Sequence, residues 1–127
     1  MTYTILLIED NEQNRYLATF LLEARGHRVV AAEDGRRGLE LAPALLPDLI
    51  LLDIQLPGLN GYAVASALRE SPGLREVPIV AVTSHAMAGD REQALNAGCS
   101  GYITKPINPD SFVREIEDFL PSPRRTT

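Results

Sequence analysis

The sequence predicts an α/β fold, a doubly wound five-stranded parallel sheet with five helices packed on its two faces. Three observations carry that prediction. Continuous aliphatic runs, Ile5-Leu6-Leu7-Ile8, Leu49-Ile50-Leu51-Leu52 and Ile79-Val80-Ala81-Val82, read as strands buried on both faces. Segments with helical spacing separate the runs, so strand and helix alternate five times, which calls for right-handed crossovers. The length of 127 residues suits one domain whose core needs no disulfide or metal.

The first strand runs from Tyr3 to Glu9 and ends in two acids, Glu9-Asp10. Asn11 is placed to cap a helix, with Glu12 and Gln13 in its first turn. Leu17, Phe20, Leu21 and Ala24 then recur at helical spacing, and Gly26 closes the helix. His27 to Ala32 is a short second strand, with His27 at its edge. Asp34-Gly35 signals a turn, and Leu39, Leu41, Ala42 and Leu45 mark a second helix that Pro43 should truncate or kink. The third strand is bounded by Asp48 and Pro57-Gly58 and delivers Asp53. A third helix covers Gly61 to Glu70, with Val64, Ala65 and Leu68 inward, and Ser71-Pro72-Gly73 breaks it. The fourth strand, Pro78 to Val82, ends at Thr83-Ser84. A weakly apolar fourth helix spans about Asp90 to Ala97 and stops at Gly98. Cys99 to Thr104 is the fifth strand, followed by Lys105-Pro106. Asn108 as N-cap and Pro109 at the first position start the last helix, whose inward stripe is Phe112, Ile116, Phe119 and Leu120. Residues 121–127 are a short polar tail.

Composition narrows the function. Apolar content of 45% and charge of 23% are those of a globular protein. A net charge of −5 argues against a nucleic-acid surface, whose footprint is basic. No apolar run approaches the roughly 20 residues of a membrane span, and the N-terminus lacks a basic signal-peptide region. The single cysteine, Cys99, fits a reducing cytoplasm and a core position.

In a parallel sheet the strand ends share one edge, where open α/β folds place their ligands. Glu9, Asp10, Asp53, Thr83 and Lys105 therefore converge. Each has a bland reading as a helix acid, a turn cap or a surface charge; their coincidence on one edge favours a site. Three carboxylates suit a hard divalent cation such as Mg²⁺. A carboxylate beside such an ion and a lysine can attack phosphorus to give an acyl phosphate, with Thr83 and Lys105 holding the phosphoryl oxygens. The sequence contains neither a G-x-G-x-x-G after the first strand nor a P-loop. A triad of Ser84, His85 and Asp53 lacks the G-x-S-x-G elbow.

Glu9-Asp10, the strand ending at Asp53 with Leu56-Pro57-Gly58 and Asn60-Gly61 behind it, Thr83 after Val80-Ala81-Val82, and Lys105-Pro106 together resemble the receiver domain of two-component response regulators. The likeness covers residues 3 to 120. The pieces Asp53 to Pro57, Ala86 to Asp90 and Tyr102 to Ile107 are most similar to single-domain receivers of the DivK type and to receivers attached to hybrid histidine kinases. The resemblance implies a flavodoxin-like strand order, 2-1-3-4-5. It implies Asp53 as phosphoacceptor from a phosphohistidine, on a sensor histidine kinase or a phosphotransfer protein. Mg²⁺, or Mn²⁺ in its place, would be bound by Asp10, Asp53 and the Gln55 carbonyl, with Glu9 acting through water. It further implies phosphoryl binding by Thr83 and Lys105, a cis Lys105–Pro106 peptide, and Tyr102 as the switch aromatic that follows Thr83. Glu rather than Asp stands first in the acid pair, the less common choice.

With seven residues after Leu120, output is expected from a phosphorylation-dependent protein surface rather than an appended domain. The expected docking face is the fourth helix, fifth strand and fifth helix, presenting Arg91, Tyr102, Ile107 and Ser111 to a downstream protein target. Asn14, Arg15 and Ala18, at the start of the first helix, are expected to meet the histidine-bearing partner. Competing readings are a phosphorelay intermediate, a phosphorylation-independent adaptor, and an aspartyl-nucleophile phosphatase. The last expects a D-x-D pair on the first strand, whereas Asp53 lies on the third and is followed two residues later by Gln55.

Overall fold

The computed structural model describes residues 3–55, 60–83 and 89–120. Their order is β1 (Thr4–Ile8), α1 (Glu12–Glu23), β2 (Arg28–Ala32), α2 (Gly35–Leu45), β3 (Leu49–Asp53), α3 (Gly61–Glu70), β4 (Ile79–Thr83), α4 (Asp90–Asn96), β5 (Gly101–Thr104) and α5 (Phe112–Glu117). All strand pairings are parallel and the order is β2-β1-β3-β4-β5, as expected. The motif pieces at 56–59 and 84–88, which include Ser84 and His85, lie outside the described residues, as does the tail.

The aliphatic runs build the sheet because both faces must be covered. β3 and β4 are buried along their whole length. Alternate residues feed two cores. Leu6, Ile8, Ile50, Leu52, Ile79 and Ala81 pack with α2 and α3 residues such as Ala42, Val64 and Leu68. Ile5, Leu7, Leu49, Leu51, Val80 and Val82 pack with Ala18, Leu22, Phe112 and Ile116 of α1 and α5. This period of two is what fixes which face each strand residue supplies.

Several expectations need correction. The residues at helical spacing, Leu17, Phe20, Leu21 and Ala24, do not mark the buried face of α1. Ala18 and Leu22 are its buried residues, and Phe20 is 58% exposed, stacked on Tyr16. Six of the seven residues from Tyr16 to Leu22 are apolar, so the segment offers more than one plausible stripe, and only the sheet chooses. Ala18 is therefore core and not partner surface. Pro43 does not truncate α2, which continues to Leu45. Asp34 is not merely a turn residue but the N-cap of α2, accepting from the Arg37 N–H at 2.8 Å. β5 begins at Gly101, two residues late. α5 begins at Phe112, because Asn108 uses its side chain to hold the Asp110 N–H at 2.9 Å in a local turn. His27 stands just before β2, the edge strand, as expected. It is buried, accepts from the Tyr3 N–H at Nδ1 (3.4 Å) and bonds Glu117 through Nε2 (2.9 Å).

Two further readings of local structure agree with the coordinates. Asn11 caps α1 by accepting from the Asn14 N–H at 2.9 Å. Cys99 is buried, which pushes its thiol up to about 11. No described helix is long and apolar enough to cross a membrane.

Candidate functional site

The parallel register sets Ile8 beside Leu52, Asp53 beside Val82 and Thr83 beside Thr104. The residues that close β1, β3, β4 and β5 therefore meet at the carboxyl edge of the sheet. Three main-chain bonds extend this alignment past the strands: Glu9 N–H to Ala32, Ile54 N–H to Val82, and Lys105 N–H to Thr83, at 3.0, 3.0 and 2.7 Å.

Asp53 is 3% exposed and Glu9 is 4% exposed, and both face Lys105. The ammonium lies 3.3 Å from Asp53 Oδ2 and 3.2 Å from Glu9 Oε1. Asp53 Oδ1 accepts from the Gln55 N–H at 2.9 Å, and Glu9 Oε2 accepts from the Asn11 N–H at 3.2 Å. Asp10 is exposed at the rim. Glu9, Asp10 and Asp53 each offer an oxygen within 4.8 Å of the others. Thr83 is buried at the end of β4, on the same edge. The Lys105–Pro106 peptide is cis.

One ammonium does not balance two buried carboxylates and a third at the rim. Glu9 bears the imbalance: its carboxyl is pushed up to about 7. Burial is the main cause, followed by the hydrogen bond and charge repulsion from Asp53, with Lys105 and the Asn11 N–H partly offsetting them. A hard cation bound among these oxygens would relieve that repulsion, so the donor set fits Mg²⁺. The fit rests on three clustered hard oxygen donors, one of which resists ionisation without added positive charge.

Two supporting features were not legible from local sequence. Arg15, singled out as partner surface, is half-buried and donates to the main-chain carbonyls of Glu9 (3.0 Å) and Asp10 (3.3 Å). It braces the acid-bearing loop. Gly61 opens α3 against the residue after Asp53: a Cβ there would lie 2.5 Å from both the Ile54 Cα and carbonyl oxygen. The Gly61 N–H donates to that same carbonyl at 3.2 Å. Only glycine lets the chain return this closely to the end of β3. The Asn-Gly pair was a signal for this approach, although its partner could not be known.

Of the remaining expected surface residues, Arg91 is exposed, while Asn14, Tyr102, Ile107 and Ser111 are half-buried. Tyr102, Pro106, Ser111 and Glu115 help line a hollow of about 390 Å³ beside β5 and α5. Asp90 and Arg91 both act electrostatically on the Tyr102 phenol, which burial pushes up, so α4 and β5 share this face.

Residues 5–117 match the family model for the response regulator receiver domain. The polar-differentiation response regulator DivK of Brucella ovis is 42% identical over 120 residues, covering 94% of this chain and 98% of that protein. DivK of Brucella anthropi is 41% identical with the same coverage. A receiver domain of a Pseudomonas aeruginosa sensor histidine kinase, solved with a magnesium ion coordinated in its active-site cleft, superposes with a TM-score of 0.85. It shares 35% identity over 94% of this chain and 98% of its own. The chemotaxis response regulator CheY4 of Vibrio cholerae has the same fold, with a TM-score of 0.89 at 24% identity, covering 94% of this chain and all of its own.

Proposed function

Because this chain belongs to the response regulator receiver domain family, we propose that it is a Mg²⁺-dependent phosphoaspartyl switch, with residues 3–120 as the switching unit. The observation that supports this most strongly is the buried contact of Lys105 with both Glu9 and Asp53 at the sheet edge. In this reading Asp53 is the acceptor. An Asp53 carboxylate oxygen attacks the phosphorus of a phosphohistidine on a sensor kinase or phosphotransfer protein. The P–N bond breaks, its electron pair leaves with the imidazole, and the imidazole takes up a proton.

Each residue has a defined task. β3 is buried throughout and holds Asp53 rigidly, and the Gln55 N–H orients one of its oxygens. Lys105 neutralises the incoming oxygens, and the Thr83 hydroxyl binds another. Positioning and charge stabilisation of this kind dominate phosphoryl transfer. Asp10, Asp53 and the Gln55 carbonyl would hold Mg²⁺, with Glu9 acting through a bound water. The ion supplies charge neutralisation at the phosphoryl oxygens. The magnesium in the cleft of the Pseudomonas receiver is consistent with this assignment.

Phosphorylation adds charge at one edge of the sheet. Thr83 is drawn toward it, Tyr102 turns in behind, and the α4–β5–α5 face changes for a downstream protein. The chain then acts as a switch rather than a turnover enzyme, in a cytoplasmic relay. The test is incubation with Mg²⁺ and acetyl phosphate, read by intact mass. One phosphoryl adduct is expected on the wild type and none on Asp53→Asn. Absence of the adduct from the wild type, or its persistence in Asp53→Asn, refutes the assignment.

A further inference from the structure

The three acids of the cluster are not held alike. The Glu9 carboxylate meets Lys105 and the Asn11 N–H, and the Asp53 carboxylate meets Lys105 and the Gln55 N–H. The Asp10 carboxylate stands at the exposed rim, and among the described residues no hydrogen bond or ion pair reaches it. Its place is therefore set by its main chain.

That main chain is gripped from α1. Arg15 lies near the amino end of the helix and continues the buried stripe of Ala18 and Leu22 toward the carboxyl edge of the sheet. Helical side chains lean toward the amino end, which aims Arg15 at the loop between β1 and α1. Its Nη1 donates to the Glu9 carbonyl at 3.0 Å and to the Asp10 carbonyl at 3.3 Å. A cation near the amino end of a helix opposes the helix dipole, so helix electrostatics do not account for an arginine here. The two carbonyls do. With both bound to one guanidinium, the main chain at Asp10 is fixed, and so is the direction in which its side chain leaves.

We infer that Arg15 is a positioning residue for cation binding: it holds the main chain of Glu9 and Asp10 so that the Asp10 carboxylate is presented to the metal. The identity of the ion, Mg²⁺, rests on the receiver reading. Two effects of the arginine oppose each other. Its charge repels a cation in the cluster, and its bonds preorganise an oxygen ligand. The charges acting on the neighbouring Glu9 carboxyl are those of Asp53 and Lys105. The Arg15 guanidinium faces main chain instead, and its positioning outweighs its repulsion.

The test is a Mg²⁺ titration of the whole chain, followed through the backbone amides of Asp10, Asp53 and Gln55 by NMR. Arg15→Met keeps an apolar stem and removes the donors. Its Mg²⁺ Kd should rise roughly tenfold, the loss typical when a group that orients a metal ligand is removed. Without metal, the order parameters of Asp10 and Asn11 should fall in this variant while those of Ile5–Ile8 hold. Glu117→Gln, which removes a pairing at the amino edge of the sheet, controls for general loosening and should keep the wild-type Kd. With acetyl phosphate, the Arg15→Met deficit should vanish at saturating Mg²⁺. An unchanged or lower Kd in Arg15→Met overturns the inference, and a lower one means that repulsion dominates. A similar rise in Glu117→Gln, a loss of order that spreads through β1, or a deficit that persists at saturating Mg²⁺ overturns it as well. If the wild type binds no Mg²⁺, the metal reading fails and takes the inference with it; if both proteins bind equally, only the role of Arg15 fails.

Discussion

Replacing Glu9 with Gln removes the one carboxyl that the site holds protonated well into the neutral range, from an ordinary 4.5 up to about 7. The sign follows from proton counting. Below pH 4.5 the group carries its proton in both folded and unfolded chains. Between 4.5 and 7 the folded chain keeps a proton that the unfolded chain has released, so stability falls as pH rises. Above 7 the full cost of an ionised Glu9 beside Asp53 is present. At about 1.4 kcal/mol per tenfold change in proton affinity, that cost has an upper limit on the order of 3 kcal/mol. For a domain of this size, about 3–5 °C accompanies each kcal/mol, so Glu9→Gln should melt up to roughly 10 °C higher at pH 8 without metal. The amide can still accept from the Asn11 N–H and can donate toward Asp53. The assay is thermal unfolding of both proteins in EDTA from pH 4 to 8.5, taking the difference at each pH so that the other titrations cancel. The difference should be near zero at pH 4 and grow through the window. Added Mg²⁺ at pH 8 should then raise the wild type more than the variant, approaching about 2.7 kcal/mol at a hundredfold excess over Kd. A flat difference curve, or one that favours the wild type as pH rises, refutes the charge imbalance assigned to this site.

Other outcomes follow from the same geometry. Lys105→Met leaves Glu9 and Asp53 without their shared cation, so phosphorylation by acetyl phosphate should slow by about 10²–10³-fold, the usual loss for one donor at a developing charge; wild-type rates in stopped time courses would contradict its role. Gly61→Ala places a methyl against the Ile54 backbone and should lower stability by about 1–3 kcal/mol in urea unfolding; an unchanged midpoint would mean that the loop after Asp53 yields freely. Burial works to raise the Glu117 carboxyl, but the hydrogen bonds from His27 and Arg25 outweigh it, and the group ends below its usual range. Its partly buried pairing joins α5 to the start of β2, and Glu117→Gln should cost about 1 kcal/mol at pH 7, with the loss shrinking as pH falls and the wild-type carboxyl takes up its proton.

The aliphatic runs at 5–8, 49–52 and 79–82 carried their own assignment, because an uninterrupted apolar strand has few stable homes other than the middle of a parallel sheet. Once the sheet is parallel, Glu9, Asp53, Thr83 and Lys105 must share an edge, so the site could be listed before any coordinates. Amphipathic direction was harder to read. The run of apolar residues in α1 offers several faces, and only packing against β1 and β3 selects Ala18 and Leu22 over Phe20. His27 reads as an edge residue from its position, but its bond to Glu117, ninety positions away, does not show in local sequence.

Local chemistry along the chain therefore determined the strands, the cap at Asn11, and the identity of the clustered acids, since these depend on period, side-chain type and neighbours within a few residues. Tertiary structure decided what those acids experience. The raised proton affinity of Glu9, the service of Arg15 to the loop that holds Asp10, the glycine demanded at 61 and the hydrogen bonds from Arg69 to the carbonyls of Leu74, Arg75, Val77 and Gly98 all depend on groups brought together from distant segments. Burial and electrostatic interaction act through distances in space, and sequence spacing alone does not set those distances.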